Sequence, residues 1–262
     1  MNTDKHSPKI TSESSTTDSL KCLTIPAIEH LGIIKHAFTT RQNGFGERNS
    51  GTKLPFDWHP VAARFGISPD RLVIPNQVHS DTVVTVDDRN YKNIKTTQAD
   101  ALITHDLGIA VGIETADCVP VLLFDPKTPA VAAVHAGWRS TVKKILQKTL
   151  IKMNDEYGSD SALMIAAIGP AICPECYEVD ELVMGPVRQV FPFWQEIATP
   201  RLVGRWSLNL VKANMMELVQ AGLAKQNIHA LDFCTSCRQD LFYSFRAEGK
   251  TGRMLSVIML QP

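Results

Sequence analysis

The chain has 262 residues, enough for one large domain with a substantial buried core. Lys plus Arg and Asp plus Glu number 27 each, so no overall positive charge indicates a nucleic-acid-binding protein. No apolar run approaches the roughly 20 residues that a membrane-spanning helix needs, and 44% hydrophobic with 21% charged residues is typical of a soluble globular protein.

The first 21 residues are rich in Ser and Thr and poor in hydrophobic residues, which predicts a disordered tail over 1–21. They contain no apolar core of the kind that a signal peptide carries, so a cytoplasmic location is the expectation. In that compartment the six cysteines are more typical of thiols or metal ligands than of structural disulfides. We expect a single domain over 22–262.

Many short strand-like runs follow the tail, separated by Pro, Gly, Asp or Asn. The predicted strands are residues 35–40, 71–78, 81–86, 100–104, 109–115, 119–125, 130–135, 162–169, 229–234 and 254–260. Apolar residues at helical spacing predict helices over 140–156, over 181–191 (interrupted by Gly185 and Pro186) and over 208–223. Because strands outnumber helices and often follow one another directly, the pattern favours an α+β fold, a layered sandwich of mixed β-sheets flanked by helices.

Three candidate metal ligands lie at the ends of predicted strands. His79 lies between two predicted strands, Cys118 precedes the strand over 119–125, and His135 ends the strand over 130–135. A tight hairpin would make Cys118 and His135 neighbours, although the sequence does not fix their register. Two histidines and a cysteine with one open position are typical of a catalytic zinc site. Their separations of 39 and 17 residues match no short-range ligand motif, so a hydrogen-bonded histidine and a small buried cysteine remain alternatives.

Two CxxC pairs, Cys173 with Cys176 and Cys234 with Cys237, form a second candidate metal site. Two such pairs can build a four-cysteine zinc site. The 57 residues between the pairs are many for a ribbon-type site, so we favour reduced, partly buried thiols.

Four arginines are candidate anion ligands, because a guanidinium group binds phosphate or carboxylate through two hydrogen bonds. Arg41 ends a predicted strand before a glycine-containing loop, Arg139 follows His135, and Arg246 and Arg253 lie near the last strand. A surface salt bridge is the alternative for each. The glycine-containing loops match neither a P-loop nor a dinucleotide-binding fingerprint.

The motifs HAFTTR, NQVHSDTV, ADALIT, TADCVPVLLFD, AVHAGWR, IGPAICPECYEV and FYSFRAEGKTGRM occur in this order along the chain. Together they resemble the multicopper polyphenol oxidase, or laccase-like, family, over about residues 30–260. The same family is described as purine nucleoside phosphorylases, and some bacterial members as peptidoglycan editing factors. The resemblance implies an α+β fold of mixed sheets flanked by helices.

The resemblance also implies a zinc ion held by His79, Cys118 and His135, with Arg41 near a nucleoside-binding pocket. The implied activity is zinc-dependent phosphorolysis of adenosine, inosine, guanosine or methylthioadenosine, accompanied by deamination of adenosine. The expected partners are therefore purine nucleosides and phosphate, without nucleic acid or membrane, and a monomer and a homodimer both remain open. Asp117 is expected to position the site or to transfer protons, and a buried acid with a purely structural role is the alternative.

The chain departs from the family pattern at Ser140, where glycine is usual, and at Ala247, which replaces the second of two consecutive arginines. These changes leave the three ligands in place and affect the expected fit of the substrate. Two other functions remain as alternatives. One is a copper-dependent polyphenol oxidase, although eight histidines without HxH clusters are few for several copper ions. The other is a hydrolase acting on peptidoglycan precursors, with Cys118 as nucleophile and His135 as its base.

Overall fold

The computed structural model describes residues 22–42 and 57–262. The tail predicted over 1–21 lies outside the described residues. Within the described part, the strands are β1 (Cys22–Leu23), β2 (Ile34–Thr39), β3 (Leu72–Val73), β4 (Val83–Thr85), β5 (Ala101–Thr104), β6 (Ala110–Thr115), β7 (Val119–Asp125), β8 (Ala130–Ala136), β9 (Ile165–Ile168), β10 (Glu178–Val179), β11 (Ala198–Pro200), β12 (Trp206–Leu208), β13 (Ile228–Ala230) and β14 (Met254–Leu260). The α-helices are α1 (Pro26–Glu29), α2 (His59–Phe65), α3 (Trp138–Val142), α4 (Ile145–Tyr157), α5 (Glu181–Val190), α6 (Trp194–Ile197), α7 (Leu210–Gln220) and α8 (Phe245–Glu248). None of the helices in these two ranges is long and apolar enough to cross a membrane.

Two mixed sheets pack against each other and form the core of the molecule. One has the strand order β13-β9-β7-β8-β5-β4 and the other β1-β2-β14-β6-β3, while β10, β12 and β11 form a small third sheet. Alternation along β7 sends Leu122 and Phe124 into the core shared with the second sheet. Val121 and Leu123 pack instead in the core that contains α4 and α7. Because α2 covers the outer face of the second sheet, the layers run helix, sheet, sheet, helix, which confirms the predicted α+β sandwich.

The hairpin of β7 and β8 brings two of the candidate ligands together. The strands are antiparallel, with Pro120 opposite His135 and Val119 opposite Ala136. Cys118, which precedes β7, therefore lies beside the end of β8. The predicted proximity of Cys118 and His135 is confirmed, and the register that the sequence left open is now defined.

The helix predicted over 140–156 is divided into α3 and α4. The break lies at Lys143 and Lys144, where Lys144 has a left-handed φ of 63° and its N–H donates to the carbonyl of Thr141 at 2.9 Å. Apolar spacing alone does not detect this break, because both parts keep their apolar residues in the core. The strand predicted over 71–78 is limited to β3, and the one predicted over 229–234 is limited to β13.

Glu217 on α7 is a buried acid at the start of α4. It is 2% exposed, its Oε1 accepts a hydrogen bond from the N–H of Gln147 at 3.2 Å, and its Oε2 has no partner in the described part of the chain. Burial raises the pKa of Glu217 to about 7, although the Gln147 N–H and the Lys144 ammonium group partly oppose this change. The carboxyl group is therefore protonated in the folded protein under mildly acidic conditions.

The Glu217→Gln variant is expected to lose part of the pH dependence of stability. A carboxyl pKa raised from 4.5 to about 7 on folding stabilises the fold fully below pH 4.5, and this contribution is lost as the pH rises through 7. The loss amounts to about 3 kcal/mol, because a tenfold difference in proton affinity between the folded and unfolded chains corresponds to about 1.4 kcal/mol. Urea unfolding of both proteins between pH 4.5 and 8 measures it. Parallel pH profiles for wild type and variant would contradict the assignment.

Candidate metal centre and cleft

His79, Cys118 and His135 converge at one end of the six-stranded sheet. His79 lies between β3 and β4, Cys118 directly precedes β7, and His135 is in β8. Their ligand atoms all lie within 4.8 Å of one another, and the centroids of the two imidazole rings are 4.7 Å apart. His79 is exposed, Cys118 is half-buried and His135 is buried. The structure thus brings together three of the four site residues predicted from the sequence.

Asp100, which directly precedes β5, holds two of the candidate ligands in position. Its buried carboxylate accepts hydrogen bonds from the N–H groups of Val78, His79 and Ser80 at 3.3, 3.0 and 2.5 Å, and from the Ser80 hydroxyl at 2.7 Å. Nδ1 of His135 lies 2.8 Å from Oδ1 of Asp100. A carboxylate at Nδ1 keeps the proton on that nitrogen, so Nε2 is the nitrogen that is left to bind a proton or a metal ion.

Charge in the cluster favours a cation between the ligands. Burial alone would lower the pKa of His135, but the neighbouring Cys118 and Asp100 side chains raise it to about 9. Burial would likewise raise the pKa of Asp100, whereas hydrogen bonds from His135 and Ser80 lower it to about 2. His79 has its pKa lowered by burial and by the neighbouring charge of His135, so it is a neutral donor.

Gly137 leaves room for the ligands. A Cβ atom at this position would lie 2.9 Å from Nδ1 of His79 and 3.0 Å from Sγ of Cys118, closer than side-chain packing allows. The backbone of Gly137 has an ordinary φ of −71°, so the close approach, rather than the torsion angles, is what requires glycine.

Two non-glycine residues at the site have left-handed backbone conformations, His79 with φ 56° and Asp117 with φ 91°. Such conformations persist only where the surroundings define them fully. Asp117 meets this condition, because its Oδ1 accepts from the Thr235 hydroxyl at 2.7 Å and its Oδ2 from the N–H of Arg246 at 2.6 Å. Of the two roles expected for Asp117, these contacts favour the positioning of Cys118.

The donor set fits zinc. Two imidazoles and one thiolate are ligands that zinc prefers, and three protein ligands leave a position open for substrate or solvent. The Nε2 atom of His135, whose proton a metal ion would displace, and the missing side chain of Gly137 both leave room for an ion between the ligands. His79, Cys118 and His135 could therefore hold one metal ion.

The cluster lies in a cleft with a volume of about 1050 Å³. The lining contains three guanidinium groups and four aromatic side chains, from Arg139, Arg246, Arg253, Trp58, Trp138, Tyr177 and Phe245. Three carboxylates, from Asp57, Glu114 and Asp117, line the cleft as well. Its size and its aromatic and guanidinium groups nevertheless suit a ligand that has both a flat ring and an anionic group. Tyr177 was not identified from the sequence, although it belongs to the IGPAICPECYEV motif.

Arg41, the fourth predicted site residue, is not among the described residues that line this cleft. Its Nη1 donates to Glu248 at 2.8 Å and to the carbonyl of Gln239 at 2.9 Å, and its guanidinium group lies over the ring of Tyr243. Arg41 thus fastens residues 239–248, the segment that carries Phe245 and Arg246 to the cleft. Ser140 is fully buried without a hydrogen-bond partner for its hydroxyl in the described chain, and nothing in the structure explains it.

The Asp100→Asn variant is expected to bind metal and to turn over substrate about 10- to 100-fold less well. The amide NH2 group of asparagine would face N–H and O–H donors that the Asp100 carboxylate accepts from. Either this repulsion or the loss of the hydrogen bond to Nδ1 would leave the His135 ring without its fixed orientation. Competition with a chelator measures the metal affinity. The Asp88→Asn variant is the control, because Asp88 is exposed and pairs only with Arg71 among the ion pairs described. Equal metal affinity in the two variants would refute the role of Asp100.

Comparison with known proteins identifies the family to which the chain belongs. Residues 30–261 match a family model described as multi-copper polyphenol oxidoreductase laccase. A purine nucleoside phosphorylase of Bacteroides thetaiotaomicron is 33% identical, and the alignment covers 94% of this chain and 98% of the relative. The adenosine deaminase RL5 of an unknown prokaryotic organism is 34% identical over 76% of this chain and 78% of its own. The crystal structure of YlmD from Geobacillus stearothermophilus superposes with a TM-score of 0.82 at 26% identity, covering 97% of this chain and 100% of that one.

Proposed function

Because the chain belongs to the multi-copper polyphenol oxidoreductase laccase family, we propose that it is a zinc-dependent purine nucleoside phosphorylase that also deaminates adenosine. The observation that carries the proposal is the position of the His79, Cys118 and His135 cluster in a cleft that is also lined by three arginines. The names of two relatives, a purine nucleoside phosphorylase and an adenosine deaminase, support both reactions.

The proposed main reaction transfers a ribosyl group to phosphate. A phosphate oxygen forms a bond to C1′ of the ribose, the bond from C1′ to the purine nitrogen breaks, and the purine leaves with its electron pair and takes up a proton. In the accompanying reaction, water and adenosine give inosine and ammonia. The proposed substrates are adenosine, inosine, guanosine and methylthioadenosine, together with phosphate.

The residues of the cleft supply binding and orientation. Arg139, Arg246 and Arg253 offer guanidinium groups for the phosphate. Because these groups are already in place, they can stabilise the negative charge near the reacting carbon without rearrangement of the protein. Tyr177 and Phe245 provide aromatic faces against which a purine can stack. When bound by His79, Cys118 and His135, a zinc ion would supply positive charge and Lewis acidity.

Arg41 retains a part in this proposal as a positioning residue. Its contacts to Gln239 and Glu248 hold the segment that presents Phe245 and Arg246. We expect it to influence nucleoside binding through those residues.

The donor clusters favour zinc over a set of copper ions. Across residues 22–42 and 57–262, the two clusters of possible metal ligands contain only two histidines, His79 and His135. A multicopper oxidase needs several copper ions, for which imidazoles are typical ligands.

The test is chromatography of each nucleoside incubated with the purified protein, with and without phosphate. We expect free purine and the sugar 1-phosphate in equal amounts, formed only with phosphate, and loss of both after chelation. The sugar product is ribose 1-phosphate, or 5-methylthioribose 1-phosphate when methylthioadenosine is the substrate. Metal analysis of the same preparation is expected to find zinc without copper. Release of purine without phosphate, or oxidation of a phenol by a copper-containing preparation, would contradict the proposal. Activity that survives chelation and is lost on alkylation of Cys118 would identify the hydrolase instead.

A further inference from the structure

The two CxxC pairs meet at one edge of the six-stranded sheet. Cys173 and Cys176 follow β9, while Cys234 and Cys237 follow β13, and β9 and β13 are parallel neighbours. The carboxyl ends of parallel neighbours lie at the same edge, so both pairs emerge side by side. The N–H of Ala171 donates to the carbonyl of Phe233 at 3.2 Å, which extends this pairing to the cysteines. The 57 intervening residues are therefore no obstacle to a shared site.

The four sulfur atoms have the spacing of a tetrahedral site. Sγ of Cys237 lies 4.0 Å from Sγ of Cys173 and 3.4 Å from Sγ of Cys176, and all four sulfurs lie within 4.8 Å of one another. Four sulfurs at about 2.3 Å from a central zinc ion are separated by about 3.8 Å. The observed separations bracket that value and exceed the S–S bond length of about 2.0 Å.

The backbone around the sulfurs is already arranged for thiolates. The N–H groups of Cys173 and Cys237 point at Sγ of Cys234, at 3.3 and 3.4 Å. The carbonyl of Cys173 accepts from the N–H of Cys176 at 3.1 Å, which closes the first CxxC into a turn. Hydrogen bonds of this kind orient metal ligands and stabilise the negative charge on sulfur.

We propose that Cys173, Cys176, Cys234 and Cys237 bind a second zinc ion with a structural role. Four protein ligands leave no open position for substrate, which distinguishes this site from the cluster of His79, Cys118 and His135. Thiolate sulfur is a soft ligand, which binds zinc in preference to hard cations such as Mg²⁺ and Ca²⁺. This inference does not depend on the proposed phosphorylase activity.

The second zinc ion acts on the cleft through Asp117. The turn that carries Cys173 begins at Ile172, whose N–H donates to the carbonyl of Asp117 at 3.0 Å. The turn that carries Cys234 continues to Thr235, whose hydroxyl holds the Asp117 carboxylate. Joining the two turns through one ion therefore fixes Asp117 in its left-handed conformation and, through it, the adjacent ligand Cys118.

The experiment measures zinc per chain in the purified full-length protein by elemental mass spectrometry. We expect two zinc ions in the wild type, one in the His79→Ala variant and one in the Cys176→Ser/Cys237→Ser variant. The Cys22→Ser variant, which changes the cysteine outside both clusters, is the control and is expected to keep two. Titration of the denatured wild type without reductant is expected to find all six thiols free.

Several outcomes would overturn the inference. One outcome is a wild type that contains one zinc ion and a His79→Ala variant that contains none. This result would overturn the inference even if the cysteine double variant failed to fold. Iron in place of zinc, or fewer than six free thiols, would do so as well, since the latter indicates a disulfide. Absence of phosphorolysis beside two zinc ions would contradict the proposed function alone.

The coupling through Asp117 has its own measurement. In the Cys176→Ser/Cys237→Ser variant, chelator competition is expected to show an affinity for the remaining zinc ion that is about 10-fold lower than in the wild type. An unchanged affinity would be compatible with a second zinc ion in the wild type, but it would overturn the proposed action of that ion on Cys118.

Discussion

Replacing His79 by alanine is expected to abolish phosphate-dependent release of free purine and to remove one zinc ion per chain. His79 supplies one of three donors, and the remaining pair, Cys118 and His135, cannot complete a three-ligand site. We expect turnover to fall by at least about 10³-fold, because the loss of a single preorganised electrostatic group already costs about 10²- to 10³-fold. Chromatography of the nucleoside reaction and elemental analysis of the same sample provide the two measurements.

The matched control for this variant is His30→Ala. His30 is exposed at the end of α1, far from the cluster in the sequence, and its removal is expected to leave zinc content and turnover at wild-type values. Full turnover in the His79→Ala variant would sink the proposed role of the metal centre, whatever the zinc content.

The Gly137→Ala variant is expected to fold normally and yet to lose about 10²-fold or more in kcat/KM. Its Cβ would lie 2.9 and 3.0 Å from ligand atoms of His79 and Cys118, so both ligands would have to move. Displacement of reacting or ligating groups by about 1 Å is enough for a loss of this size. The backbone angles of residue 137 suit alanine, so thermal unfolding of the metal-free protein is expected to be little changed.

Gly185→Ala is the corresponding control for this substitution. Gly185 lies inside α5 with open space where a Cβ would extend. Alanine there is expected to leave activity unchanged, because Gly185 is not among the described residues that line the cleft. If Gly137→Ala kept wild-type zinc affinity and kcat/KM, the steric account of this glycine would be wrong.

The layered α+β fold could be predicted because its strands carry strong local patterns. The apolar runs that became β7, β8 and β14 are long, and their positions follow from the sequence alone. Elements defined by distant partners could not be predicted in the same way. The break at Lys144 leaves the apolar spacing of the predicted helix unchanged, and Glu217 of α7 meets the start of α4 only in the folded chain.

The three candidate ligands could be predicted from the sequence, but the residues that hold them in position could not. The predicted hairpin made the proximity of Cys118 and His135 a reasonable expectation, His79 completed a three-ligand set at the strand ends, and the family resemblance implied the same three residues. Asp100 was missed because an acid at the start of an apolar strand looks like an ordinary strand boundary, and its five hydrogen-bond donors come from residues 78–80 and His135. A shared site for the two CxxC pairs was considered and disfavoured, because the 57 residues between them do not reveal the parallel pairing of β9 with β13.

The register of the β7 and β8 hairpin affects which folded forms of the chain can bind a metal ion. Side chains alternate between the faces of a sheet, so a slip of one residue would turn His135 away from Cys118 and toward the opposite face. A chain with a misaligned hairpin would still bury alanine and valine on both faces, because β8 is apolar on each side. Only the native alignment presents both donors to one ion. Binding of the proposed metal ion would therefore stabilise the native hairpin over an otherwise similar hydrophobic hairpin.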